Sequence, residues 1–146
     1  MIEDAIVENV AGNGVGLRNH NSVGNHSGSV ELRRVVFRGI GGTYAVFGRS
    51  GAGEENRFDG MRLVDVKADG LVAFWGPIRK LEVYGGRYVS IVLGFEGLGI
   101  AAKQGNALRD ARLENVQVES LVLNGASGRI ELLGVEARSI RQVRAE

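Results

Sequence analysis

There is no cysteine in the 146 residues, which rules out disulfides and thiolate metal sites. Proline occurs once, at Pro77, so the turns of this chain are not built on proline. No apolar run approaches the roughly 18 residues of a membrane span. The opening Met1-Ile2-Glu3-Asp4 is acidic and lacks the basic and then apolar pattern of a signal peptide, so none is expected. Neither sign of charge dominates: 18 Lys and Arg stand against 17 Asp and Glu, interleaved along the chain, for a net charge of +1. A nucleic-acid partner, which would want a basic face, is therefore not expected. Sustained helical spacing of apolar residues is missing too.

What is present is glycine, 23 residues of it, among 44% hydrophobic residues. Glycine without proline, mixed with Val, Leu and Ile, predicts many short strands joined by tight turns. The length suits one domain over residues 1–146 with a real core, or a piece of a longer array.

A repeat emerges when the turns are aligned. With position zero at Val10, Val35, Val66, Gly86, Val116 and Val135, the spacings are 25, 31, 20, 30 and 19 residues. Three rows are then apolar throughout. Five before zero stand Ala5, Val30, Met61, Leu81, Ala111 and Ile130. Three before zero stand Val7, Leu32, Leu63, Val83, Leu113 and Leu132. Five after zero stand Val15, Ile40, Leu71, Ile91, Leu121 and Ile140. Just before zero come Asn9, Arg34, Asp65, Gly85, Asn115 and Gly134. All but Arg34 are residue types that tolerate a left-handed backbone, so a sharp corner is predicted there. A second corner follows four after zero, at Gly14, Gly39, Gly70, Ser90, Ser120 and Ser139.

Each repeat reads as three short strands with two tight corners and one variable connection. The segments Ile6-Val7-Glu8-Asn9-Val10, Leu63-Val64-Asp65-Val66 and Leu113-Glu114-Asn115-Val116, with Asn13-Gly14-Val15 and Asp69-Gly70-Leu71, resemble the right-handed parallel β-helix of the pectin-lyase-like superfamily over residues 2–143. The fold class expected is all-β: a single-stranded β-solenoid of about six coils. An antiparallel sandwich is the alternative, with Asn13-Gly14 and Asp69-Gly70 as hairpin turns.

Residues between the buried rows point outward and stack on their equivalents about 4.8 Å away. Four before zero the column reads Ile6, Glu31, Arg62, Glu82, Arg112, Glu131, an alternation of sign through five repeats. Three after zero, Arg38 neighbours Asp69 and Glu119 neighbours Arg138. Opposite charges on neighbouring strands fix register, so these acids read as structural before catalytic.

The strand that begins five after zero resembles the one carrying the substrate cleft in pectin-lyase-like enzymes, whose clefts present clustered carboxylates. Here its outward column holds Val72, Val92 and Val122. Glycoside hydrolysis needs two carboxylates about 5–9.5 Å apart, and this column has none. The valine stripe needs a cover, either the 94–110 connection or a second copy of the chain, which gives an expected homo-oligomer.

Three long connections, 18–29, 43–60 and 94–110, crowd one edge, where binding residues tend to sit. His20 and His26 lie in the first, with no local carboxylate to complete a metal site; no metal and no cofactor is expected. Arg49 to Arg57 in the second is glycine-rich but lacks the Gly-Lys-Ser/Thr ending of a phosphate loop. A shallow groove for sugar is expected between Glu54, Lys103 and Gln104 of the loops and the aromatics Trp75, Tyr84 and Tyr88. Two functions follow. One is a non-catalytic module for structure, assembly or carbohydrate recognition. The other is a polysaccharide-degrading or -modifying enzyme with acids borne on its loops. The missing carboxylate column favours the first.

Overall fold

A computed structural model describes residues 1–18, 27–49, 58–75, 78–94, 110–124 and 129–143. Among these the chain forms fourteen strands and no helix, and so no helix long and apolar enough to cross a membrane. One sheet has six strands: β1 (Ile2–Glu3), β4 (Ser27–Arg33), β7 (Phe58–Val64), β9 (Leu81–Tyr84), β11 (Asp110–Glu114) and β13 (Arg129–Leu133). The other has eight: β2 (Ile6–Val10), β3 (Val15–Arg18), β5 (Val36–Ile40), β6 (Tyr44–Arg49), β8 (Lys67–Trp75), β10 (Arg87–Leu93), β12 (Gln117–Asn124) and β14 (Glu136–Val143).

The chain visits the two sheets in turn, and every strand pairs in parallel with the equivalent strand one repeat away. This sets aside the antiparallel sandwich. Asp69 and Gly70 lie inside β8 and turn no hairpin. Alternation within the strands explains the arrangement. In β9, in β11 and in β7 from Met61 onward every second side chain is buried, and the buried faces of both sheets meet in one core that includes Leu32, Phe37, Leu63, Val72, Leu113 and Leu121.

The corner before position zero is left-handed in all six repeats, with φ of 51° at Asp4, 50° at Arg34, 50° at Asp65, 64° at Gly85, 54° at Asn115 and 61° at Gly134. Backbone bonds run unbroken past it. The N–H of Arg34 donates to Val64 O (2.8 Å) in the following repeat, and two residues on the N–H of Val36 donates to Ala5 O (2.9 Å) in the preceding one. Arg34 lacks the short polar side chain that usually fits this backbone. Its guanidinium is held by Asp4 and Glu3 of the repeat before, at 2.5 Å each.

The structure corrects the expected register in three places. In the first repeat, position zero is Ala5, not Val10: Ile2 pairs with Leu32, and Val7 pairs with Phe37 in the second sheet. Asn9 (φ 55°) belongs to an additional turn that stacks on Gly39 (φ 62°). That turn splits the second-sheet strand of repeats one and two into β2 with β3 and β5 with β6. Ile6, expected to start the charge column, therefore lies beside Val36. Next, the row expected to contain Ile40 and Leu71 instead runs Val15, Val46, Val72, Ile91, Leu121, Ile140. The extra turn displaces Ile40, and a bulge in β8 that sets Leu71 against Ser90 displaces Leu71. As a result Val72, expected outward, is fully buried in the main core, and Ala73 takes its place outside.

Candidate functional site

The two sheets present different outer faces. On the first sheet the alternating column is present from Glu31 onward and its charges are consumed by one another. Arg62 meets Glu31 at 3.8 Å and Glu82 at 3.5 Å, and Lys80 meets Glu82 at 3.4 Å. Arg112 meets Glu131 at 3.4 Å but turns mainly to Glu114 in its own strand, at 2.9 Å. Arg33 and Arg129 likewise reach along their strands, to Glu31 (2.5 Å) and Glu131 (2.6 Å). At the centre Tyr84 donates its hydroxyl proton to Glu82, and the Arg62 guanidinium lies 5.3 Å from the centre of the Tyr84 ring. Burial pushes the Glu82 carboxyl up, but Tyr84, Arg62 and Lys80 outweigh it and hold the group below the usual carboxylate range. The same hydrogen bond raises the Tyr84 hydroxyl.

The second sheet carries an open groove of about 880 Å³ across β5, β8, β10, β12 and β14. Its geometry follows from period two. Phe37, Ala68, Tyr88 and Val118 point inward and form the floor; the residues on either side point out and form two walls. One wall reads Val36, Lys67, Arg87, Gln117, Glu136, and the other Arg38, Asp69, Val89, Glu119, Arg138. Partners are few here. Arg38 pairs with Glu8 at 2.6 Å, not with Asp69, which accepts from the Gly39 N–H at 3.1 Å. Arg87 donates to Gln117 at 3.2 Å. Among the described residues Lys67, Glu119, Glu136 and Arg138 are exposed and make no ion pair or side-chain hydrogen bond. Glu119 and Arg138 are neighbours without being a pair.

The sugar groove expected from sequence is not brought together by the described residues. Tyr84 sits in the ion network of the first sheet, while Tyr88 is in the core, 1% exposed, with a hydroxyl that meets no partner. Its pKa is pushed up by burial and by nearby Asp65. Trp75 ends β8; its side chain, together with Glu54, Lys103, Gln104, His20 and His26, lies outside the described residues. Val92 and Val122 do point out of the main core, and with Ala73 they form a second cluster packed by Tyr44 and Leu71. They are only 4% and 6% exposed in the single chain, so no second copy is needed to cover them. The groove residues Lys67, Arg87, Gln117 and Glu136 stand one after position zero in repeats whose register was expected correctly; they were missed because their residue types are mixed and give the column no common sequence signal. Comparison of the chain with protein-family models, with curated proteins and with solved structures gives no match.

Proposed function

We propose that the chain winds as a right-handed parallel β-helix of six coils and serves as a non-catalytic recognition module, binding an extended polar chain, carbohydrate foremost, along the second-sheet groove. The regular alternation between two parallel sheets supports the winding, as does the left-handed corner repeated in every coil. The observation that carries the function is the contrast between the two outer faces. The first sheet satisfies its charges internally. The second leaves Lys67, Glu119, Glu136 and Arg138 without partners in a groove open to solvent. Donors and acceptors recur along it at the coil spacing of about 4.8 Å, which suits a ligand that is itself a linear repeat. Against chemistry, an acid that protonates a leaving group is usually shielded by apolar neighbours, and Asp69, Glu119 and Glu136 are all exposed.

The test is a glycan array followed by titration and a cleavage assay. Binding without new reducing or unsaturated ends is expected. Lys67→Ala and Glu119→Gln should each weaken it by about tenfold, as lost charged hydrogen bonds do, while Arg112→Ala on the other face should leave it unchanged. Equal effects of the three variants, or no glycan bound, would sink the reading. The enzyme alternative has one observation in its favour: Glu119 and Glu136 stand on paired strands, two positions apart in register, on facing walls of the groove. New chain ends that disappear with Glu119→Gln or Glu136→Gln would establish it.

A further inference from the structure

Among the described residues, the exposed large hydrophobic ones are concentrated at two places. Met1, Ile2 and Ile6 belong to the first repeat; Leu132, Leu133 and Ile140 belong to the last. Of the described residues, only Val89, in the groove, is elsewhere. Several of them are core residues. Ile2 and Leu132 occupy the row that continues through Leu32, Leu63, Val83 and Leu113, each 0–1% exposed inside the stack, yet they are 39% and 36% exposed. Ile140 continues the row of Ile91 and Leu121, both 0% exposed, and is 55% exposed. Among the described residues the strands at both ends also keep one unpaired edge, and such an edge is a template for another strand.

We infer that the last repeat of one copy receives the first repeat of another, so that both sheets and the core continue from chain to chain. This goes beyond the groove reading and does not rest on it. Three observations commit the occupant to a second copy. First, the rows are in register: stacked at the same offsets, Leu132 meets Ile2, Val135 meets Ala5 and Ala137 meets Val7, all apolar. Second, charge is complementary. The charged side chains described in the first repeat are Glu3, Asp4 and Glu8, whereas the last holds Arg129, Arg138 and Arg141 against Glu131 and Glu136. Glu8 already bonds Arg38 at the same offset within the chain, at 2.6 Å, and Arg138, which has no partner of its own, would meet the next copy's Glu8 from the other side. Third, the joint matches β14, a continuous strand, with β2 and β3, a split one. A split pair against one continuous strand already occurs inside the molecule, in the opposite order, where β5 and β6 both pair with β8.

The two surfaces differ, so the contact is head to tail and does not close; repeated, it gives linear chains. Leu132→Glu blocks one end and Ile2→Glu the other, both at positions already open to water. Sedimentation velocity over a hundredfold range of concentration reads the outcome. The unaltered protein should form a ladder of masses that lengthens with concentration. Each variant alone should be monomeric, and an equal mixture of the two should give a dimer and nothing larger, because one good head meets one good tail. A monomeric parent chain overturns the inference and leaves the ends to other partners. So does a variant that still dimerises alone, which marks a like-with-like contact, or a mixture that stays monomeric. Circular dichroism confirms that each variant is folded; Ile140→Glu replaces Leu132→Glu if the latter is not.

Discussion

Tyr88 shows how one side chain is sized by its neighbours along the stack. The inward column on which it lies runs Phe37, Ala68, Tyr88, Val118, Ala137, so large and small residues interleave as close packing requires. Its ring lies beside Gly86, the one repeat where position zero is not an aliphatic side chain. Gly86 has φ of 91°, and a Cβ there would press on the Val66 carbonyl and come within 3.1 Å of the Tyr88 ring. The ring takes the volume that valine fills elsewhere, but its hydroxyl has no partner. Tyr88→Phe is therefore expected to stabilise the fold by about 1 kcal/mol, since a buried polar group without a bond costs roughly that much. A rise in the urea midpoint checks it, and a fall would mean that the hydroxyl is satisfied. The substitution of Gly for Val at zero was legible in the sequence; the burial of Tyr88 was not, because no single row exposes a trade between Gly86 and a residue two places on.

At the scale of strands, the ion network of the first sheet makes stability depend on pH. The folded chain holds Glu82 below its ordinary range, so the unfolded chain takes up the proton first. The stabilisation is complete above about pH 5 and is lost as pH falls through the ordinary carboxylate range near 4 and below. Tyr84 and Tyr88 are raised; their contribution is present below about pH 10 and lost above it. Urea midpoints from pH 3 to 11 should show a plateau with a fall at each end, and Glu82→Gln should flatten the acid fall. An acid limb unchanged in that variant would contradict the assignment. The column from Glu31 to Glu131 was readable because charge alternates strand by strand. The first repeat was not. Asp4 and Asn9 both suit a left-handed corner, Ile2 and Val7 both suit the apolar row before it, and Ala5 and Val10 both suit zero. Residue types are degenerate between those two registers, and only backbone pairing separates them. Likewise Asp69-Gly70 reads as a corner, whereas in β8 the extra residue is taken up as a bulge.

For the whole molecule, the order of the rows was legible in repeats three to six and the position of the groove was not. Buried rows announce themselves by being apolar in every repeat. The groove walls mix Lys, Arg, Gln, Glu and Val, and what unites them is the lack of partners, which depends on side-chain reach rather than residue type. The same holds for the valines: Val92 and Val122 lie in a cluster apart from the main core, and their burial in the single chain removes the argument for oligomers through that face. Self-association through the ends uses residues whose exposure comes from where they stand in the stack and not from any change in the pattern.

The backbone bonds at the left-handed corner have a mechanical consequence. They connect each repeat to the next along the direction of stacking, so tension applied between the two ends of the chain strains one layer of bonds at a time. Repeats that touch only their neighbours yield one by one. Equivalent residues are separated by 30, 31, 20, 30 and 19 positions at successive repeats, and extended chain spans at most about 3.3–3.6 Å per residue. Pulled in an optical trap, the protein should lengthen in unequal steps, about 100 Å for the long repeats and about 65 Å for the short ones, and the order of the steps would show from which end the stack comes apart.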